Sequence, residues 1–319
     1  MKLLICTQAL DKNDPILGFF HAWVEEFAKH FEHVHVICLR EGAHALPSNV
    51  SVYSLGKERG SIRFVRWLRA LRYIVVLRKE YDAVFVHMNP EYVLLGGWFW
   101  TLMHKKTALW YMHKTVDFKL RAAVMFVQKI FTGSPESFRL KTPKVEVMGH
   151  GIDTLFFSPD PRGVRGEAVL SVGRLSASKR HDLIIRAAHQ AHKKLFIVGD
   201  GPERTALEAL AQKLGASVHF LGGHTQEQLL HEYRKAGVFI HTSETGSMDK
   251  VVLEALATDT PVITTSEVFK NFPVQVVDAT QESLTQALMH VEEKTDRVSA
   301  VEKYHSLPRL IARISAWYA

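Results

Sequence analysis

Only two cysteines occur in 319 residues, Cys6 and Cys38, and each lies inside an apolar, strand-like run where a thiol usually behaves as a small buried hydrophobe. Neither a disulfide framework nor a thiolate-bound metal is therefore expected. Long apolar runs are missing as well: the longest nearly uncharged stretch, Val93 to Met103, is about half of the roughly 20 residues that a membrane-spanning helix needs. After Lys2 the apolar run Leu3 to Cys6 is too short for a signal-peptide core, and Gln8, Asp11, Asn13 and Asp14 follow at once. No bilayer span and a cytoplasmic location are the expectations. Low-complexity tracts and short-period repeats are absent, and nothing is read as a nucleic-acid site. The C-terminal half has no charge excess of either sign, with 19 Lys and Arg against 19 Asp and Glu over residues 154–319. Residues 1–153 hold 21 against 14, which is the whole of the net +7.

Apolar material is plentiful. At 47% hydrophobic the chain can bury about two cores of ordinary size. Short apolar, β-branched runs recur: Lys2 to Cys6, Val34 to Leu39, Val50 to Leu55, Ala83 to His87, Thr107 to Met112, Lys129 to Thr132 and Val145 to Met148 come first. Ala168 to Val172, Leu195 to Val198, Ser217 to Leu221, Val238 to His241, Pro261 to Thr264 and Val274 to Val277 follow. Between most of them lie segments with helical spacing, such as Trp23, Phe27 and Phe31, or Leu183, Ala187 and Ala191. Strands alternating with helices predict parallel sheets in doubly wound α/β domains. Pro159, Pro161, Gly163 and Gly166 interrupt all periodicity from Ser158 to Gly166, which places a linker between domains 1–157 and 158–319.

Three stretches in the second half carry chemistry. In Val172-Gly173-Arg174-Leu175-Ser176-Ala177-Ser178-Lys179-Arg180 a strand ends at a glycine and cations precede a helix. A guanidinium and an ammonium so placed suit a diphosphate, although both could equally be solvated loop charges. In Val198-Gly199-Asp200-Gly201-Pro202 the glycines turn the chain sharply after a strand, either as a plain connection or to let a flat ligand approach the backbone. In Thr242 to Leu256 a strand runs through small residues into a helix whose free amides can seat phosphate or sugar hydroxyls. Glu254 lies one turn into that helix on the face of Lys250, which is also the spacing of an ordinary i, i+4 ion pair.

These motifs, their order, and the following Asp259-Thr260-Pro261-Val262-Ile263 resemble the donor domain of the retaining family-four glycosyltransferases with the GT-B fold. The resemblance implies two Rossmann-like domains facing a cleft, with a last helix that can return to the first domain. It implies that Arg174 and Lys179 bind the donor diphosphate and that Glu254 holds the ribose hydroxyls. The first Glu of the family's paired-Glu motif is replaced by Gly246, and the nearest acids are Glu244 and Asp249. Backbone amides of Gly246, Ser247 and Met248 are expected to take over contacts to sugar or phosphate, with Val251 beside them. Phe220-Leu221-Gly222-Gly223 resembles the strand end that lies beside the nucleobase. Asp14 to Phe20, with Gly18, resembles the family's glycine-containing loop near the phosphates. His113, in Trp110-Tyr111-Met112-His113-Lys114, resembles the histidine that faces the donor sugar. Gly149-His150-Gly151-Ile152-Asp153 resembles the segment closing the first domain. The implied donor set is thus Gly18, Gly173, Gly199, Asp200, Gly201, Leu221, Gly222, Glu244, Gly246 to Asp249, Val251 and Glu254, with His113, Arg174 and Lys179 catalytic.

The implied reaction is metal-independent transfer from a nucleotide-diphosphate sugar, with fixed cations and a helix N-terminus stabilising the leaving diphosphate. No Asp-x-Asp pair, the metal holder of the other main glycosyltransferase fold, is present. An epimerase on the same fold and a non-catalytic nucleotide-sugar binder are the rival readings; a phosphorylase is disfavoured by the short chain and the lack of a pyridoxal-phosphate lysine context. In the first half, Ile62 to Lys79 sets Phe64, Trp67, Leu68, Leu71 and Val75 on one helical face and Arg63, Arg66, Arg69 and Arg72 around the other. A packed helix with a solvated basic back is the commoner arrangement. The charge excess also predicts an acidic or lipid-linked acceptor, or an anionic membrane surface at the inner face of the membrane met by those four arginines.

Overall fold

The computed structural model describes residues 1–319. The chain divides into two compact units, residues 1–151 with 307–319, and residues 152–306.

The first unit is built from β1 (Lys2–Leu10), α1 (Phe19–Ala28), β2 (His33–Glu41), β3 (Val50–Ser54), α2 (Arg63–Val76), β4 (Ala83–His87), α3 (Pro90–Leu102), β5 (Lys106–Trp110), α4 (Phe118–Phe126), β6 (Lys129–Thr132) and β7 (Val145–Val147). The strands form one parallel sheet in the order β3-β2-β1-β4-β5-β6-β7. Because helices cover both faces, successive side chains of β1 enter different cores, which is why its sequence reads as an unbroken apolar run. Leu3 and Ile5 join Phe20, Trp23, Val24 and Phe27 of α1 on one face. Leu4 and Cys6 join residues of α2, α3 and α4 on the other. The buried thiols of Cys6 and Cys38 belong to opposite faces, and burial pushes that of Cys38 up to about 12.

The second unit contains β8 (Val169–Val172), α5 (His181–Gln190), β9 (Leu195–Val198), α6 (Arg204–Leu214), β10 (Val218–Gly222), α7 (Gln226–Lys235), β11 (Val238–His241), α8 (Lys250–Ala257), β12 (Val262–Thr264), β13 (Gln275–Val276), α9 (Gln281–Met289) and α10 (Arg297–His305). Its parallel sheet runs β10-β9-β8-β11-β12-β13. The chain then ends in α11 (Leu307–Tyr318), whose Leu310, Ile311, Ile314 and Tyr318 pack with α1 in the core of the first unit. No helix is long and apolar enough to cross a membrane. All thirteen apolar runs singled out in the sequence are strands, with ends shifted by at most a few residues.

Two expectations are corrected. The stretch Ser158 to Gly166 is not a free linker, because the second unit already begins at Ile152, and Ile152 and Phe157 are buried in its core. Arg234 donates to the Ser158 carbonyl at 2.8 Å, and Arg165 donates to the Thr258 carbonyl at 2.7 Å and to Thr260 Oγ1 at 3.0 Å. Two arginines thus strap the segment to its own unit and compensate for the missing apolar periodicity. Helix α2 is also turned the other way. It buries the narrow stripe of Ala70 and Ile74, while Phe64 and Trp67 are 65% and 45% exposed, and Leu68 and Val75 face solvent too. Arg69, in turn, is drawn inward to the Leu55 carbonyl (2.9 Å) and Ser61 Oγ (2.8 Å).

Candidate functional site

Doubly wound sheets bind ligands beyond the carboxyl ends of their strands, where the strand order reverses. In the second unit that point lies between β8 and β11. The loops leaving these strands carry Gly173 to Lys179 and Thr242 to Asp249, and they are tied together. Thr242 Oγ1 donates to the Lys179 carbonyl at 2.8 Å and the Glu244 amide donates to the Ser178 carbonyl at 3.0 Å. Arg180, in a left-handed conformation (φ 49°), pairs with the Glu244 carboxylate, so Glu244 serves as a clasp between the loops.

Lys179 stands at the centre of the junction. Its Nζ is 3.1 Å from Ser243 Oγ and forms an ion pair with Asp249, which precedes the first residue of α8 and turns its carboxylate away from the helix amides. Asp249 Oδ2 lies 2.8 Å from His241 Nε2, and His241 Nδ1 lies 3.0 Å from Thr264 Oγ1. Burial by itself would raise the Asp249 carboxyl, but the bond from His241 and the charge of Lys179 outweigh it and hold the group well below the ordinary carboxylate range. Hydroxyls of Ser243, Thr245 and Ser247 form a chain of 2.9 and 2.7 Å contacts beside them. Gly246 takes a left-handed conformation (φ 59°) and turns the loop toward the helix, whose first amides have no intrahelical acceptor. The macrodipole adds positive potential there. Met248 and Val251 pack partly buried against the core below.

The next loop completes the surface. Gly199 has φ 135°, and a Cβ on it would run into the Gly173 carbonyl; its amide donates to the Gly222 carbonyl at 2.8 Å. The Gly173 amide donates to the Val198 carbonyl at 3.0 Å, and that of Leu175 to the Asp200 carbonyl at 3.0 Å. Asp200 Oδ1 accepts from the Gly201 amide at 2.8 Å. Gly173, Gly199, Asp200, Gly201 and Gly222 are therefore one continuous backbone surface, with Leu221 preceding it in β10. Arg174 is exposed on the first loop and its guanidinium makes no ion pair with the protein.

Glu254 is placed differently from the expectation. It is 4% exposed and Oε2 accepts from the Tyr233 hydroxyl at 3.1 Å, so the carboxylate faces the packing of α7 against α8. Burial raises the Glu254 carboxyl and lowers the Lys250 ammonium to about 8, while the opposite charge of each works against its own shift.

In the first unit the strand order reverses between β1 and β4. Gly18 precedes α1 and its amide donates to the Asp14 carbonyl at 2.9 Å. Asp14 accepts from the amides of Ile16 and Leu17, both at 2.8 Å, and pairs with Arg40, which fixes the loop after β1. His113 is exposed beyond the end of β5, edge-on to Tyr111 with ring centroids 5.7 Å apart. Lys179, Asp249, Gly173 and Gly199 lie in one loop system, together with His241, which the sequence did not single out. The available signal was a polar ring at the last position of an otherwise apolar strand that opens directly into Thr242-Ser243.

A strand-end surface with two cations, a hydroxyl-rich loop and a helix N-terminus is equipped to bind a phosphorylated ligand. Residues 159–315 match the family described as glycosyl transferases group 1. A D-inositol 3-phosphate glycosyltransferase of Mycobacteroides abscessus is 32% identical over 152 residues, covering 42% of this chain and 34% of the relative. A GDP-mannose-dependent alpha-mannosyltransferase of Mycobacterium tuberculosis is 31% identical over 130 residues, covering 38% and 33%. Each match thus spans about a third of the curated relative's length. Among solved structures, Anabaena HepE in complex with UDP and glucose is similar with a TM-score of 0.74, 16% identity and 99% coverage of both chains. AviGT4, a glycosyltransferase of avilamycin A biosynthesis, is similar with a TM-score of 0.71, 14% identity, and coverage of 100% and 97%. The fold is GT-B.

Proposed function

We propose that the protein is a glycosyltransferase that moves a sugar from a nucleotide-diphosphate sugar to an acceptor hydroxyl, with retention of anomeric configuration and without a metal ion. The observation that carries the reading is the junction of Lys179 with the start of α8 at the point where the strand order reverses. The exposed guanidinium of Arg174 and the ammonium of Lys179 meet the diphosphate, and the α8 amides and macrodipole stabilise the charge that grows on it as the glycosidic bond breaks. The acceptor hydroxyl attacks the anomeric carbon on the face from which the diphosphate departs, and its proton passes to a phosphate oxygen. His113 is the polar group assigned to the sugar's side. A named relative that uses GDP-mannose and a structural neighbour that holds UDP make GDP and UDP the first leaving groups to test.

The charge excess of the N-terminal half supports an acidic or lipid-linked acceptor, and a cytoplasmic protein that attaches to the inner face of an anionic membrane through Arg63, Arg66 and Arg72. At about 1 kcal/mol per cation such attachment is reversible and released by salt. The test of transfer measures nucleotide and sugar products from UDP and GDP sugars, with chelator, with and without candidate acceptors. Nucleotide released in step with acceptor glycosylation supports transfer. An altered sugar formed without acceptor indicates an epimerase, no release indicates a binder, and activity abolished by chelator contradicts the metal-free chemistry.

A further inference from the structure

The buried residues of α2, α3 and α4 all enter the same face of the first sheet, so the outer surfaces of these helices form one layer. Eleven of the eighteen large apolar side chains that the protein exposes belong to residues 62–125, among them Phe64, Trp67, Trp98 and Phe118. Residues 62–126 also carry eleven Lys and Arg against four Asp and Glu, a surplus of +7 equal to that of the entire chain. Apolar exposure on this scale marks a contact surface, and its coincidence with the whole cationic surplus specifies a partner that is apolar and anionic at once.

A cavity of about 350 Å3 opens in this layer, within the size range of small-molecule sites. Trp67, Tyr92, Leu94 and Leu95 belong to its apolar wall, and its polar lining is Arg63, Arg66, Lys119 and Asn89 with Glu91 as the single acid. Glu91 pairs with Lys119 and lies 3.4 Å from Arg63, and the Arg63 guanidinium stands 4.8 Å above the Trp67 ring. One carboxylate among three cations leaves a net positive rim around an apolar wall. We propose that this cavity binds a single phospholipid of an anionic membrane, its phosphate at Arg63, Arg66 and Lys119 and the start of an acyl chain along Trp67, Leu94 and Leu95. The site deepens the membrane part of the reading above, and it stands apart from sugar transfer because its test uses no donor.

The probe is a short-chain phosphatidic acid, held below its micelle concentration and brominated on the acyl chains. The readout is quenching of tryptophan fluorescence, with Trp67→Phe identifying the share that comes from Trp67. The expected result is saturable quenching that Trp67→Phe removes, with affinity at least tenfold weaker for phosphatidylcholine of the same chain length. Arg63→Gln/Arg66→Gln, which changes only surface side chains, and Leu95→Trp, which fills the cavity, should each weaken it tenfold or more at an unchanged melting temperature. Equal affinity for the two lipids overturns the phosphate assignment. Unchanged affinity in Leu95→Trp overturns the cavity assignment, and if Arg63→Gln/Arg66→Gln alone then loses sedimentation with phosphatidylglycerol vesicles, attachment is electrostatic without a lipid site. Should Leu95→Trp melt early, Trp67→Phe decides instead, because saturable quenching that persists in it overturns the cavity assignment.

Discussion

Replacing Asp249 by Asn should tighten the binding of a free nucleoside diphosphate. Asp249 is the counter-ion of Lys179, and with its side chain 19% exposed it is only partly screened by water. A diphosphate that reaches Lys179 must come within about 7 Å of that carboxylate, and two unit charges at this distance repel by about 2.4 kcal/mol at an effective dielectric constant of about 20. Screening at 0.15 M salt, where the Debye length is about 8 Å, roughly halves the figure. The remaining 1–1.5 kcal/mol corresponds to about a tenfold fall in Kd. Titration calorimetry of UDP and GDP against the wild type and Asp249→Asn, at pH 7.5 in 0.15 M salt, measures it, and the gain should shrink at 0.5 M. The variant should also melt earlier, since the charged acceptor of the His241 bond is gone. Affinity that is unchanged or weaker than the wild type would refute the reasoning, and would mean that Asp249 positions Lys179 for the phosphates instead of competing with them.

Arg174→Ala and Lys179→Ala should each lower turnover by roughly 10² to 10³. Only Lys179→Ala should lower the melting temperature, because it strips Asp249 of a partner while Arg174 has none to lose. His113→Ala is expected to reduce turnover more than donor binding, read from kcat and Kd side by side. Glu254→Gln retains an acceptor for Tyr233 but removes a negative charge that acts on the buried Lys250. Stability should therefore fall by about 1–3 kcal/mol in urea melts, with donor affinity unchanged; a selective loss of donor affinity would restore the ribose role. His181 and His305 are both pushed down to about 4 by burial, so they stay neutral in the fold while the unfolded chain takes up protons near pH 6.5. Stability should drop between about pH 6.5 and 4, at roughly 1.4 kcal/mol per unit for each, and His181→Gln should flatten the slope of urea midpoints over that window.

The strands were legible because a parallel sheet buried on both faces leaves its mark as consecutive apolar residues, as in Leu3-Leu4-Ile5-Cys6. The strand-end loops of the second unit were legible as types, since a glycine at the end of a strand followed by a helix leaves few arrangements open. What periodicity does not carry is which side of a helix meets the sheet. In α2 the large residues Phe64 and Trp67 suggested the inner face, but the sheet accepts only the narrow stripe of Ala70 and Ile74. Nor does local sequence reveal partners far along the chain: Lys179 and Asp249 are 70 residues apart. Tyr233, which turns Glu254 inward, lies on a separate helix whose own pattern gives no hint of it. The arginine strap over Ser158 to Gly166 escaped notice for the same reason, because loss of periodicity marks the end of regular structure and not the end of a domain.

Helix α11 belongs to the first unit, so the second unit is an insertion whose two ends emerge side by side: Ile152 pairs with Ser306 in a parallel bridge, and its amide donates to the His305 carbonyl at 2.7 Å. Adjacent ends are what make a domain exchangeable. Residues 152–306 are thus a continuous segment inserted into the first unit, and both the seven-stranded sheet and α11 lie outside it. On the proposed function, sugar-nucleotide preference is expected to travel with this segment and acceptor preference to stay with the host, which chimaeras joined at 151/152 and 306/307 would test.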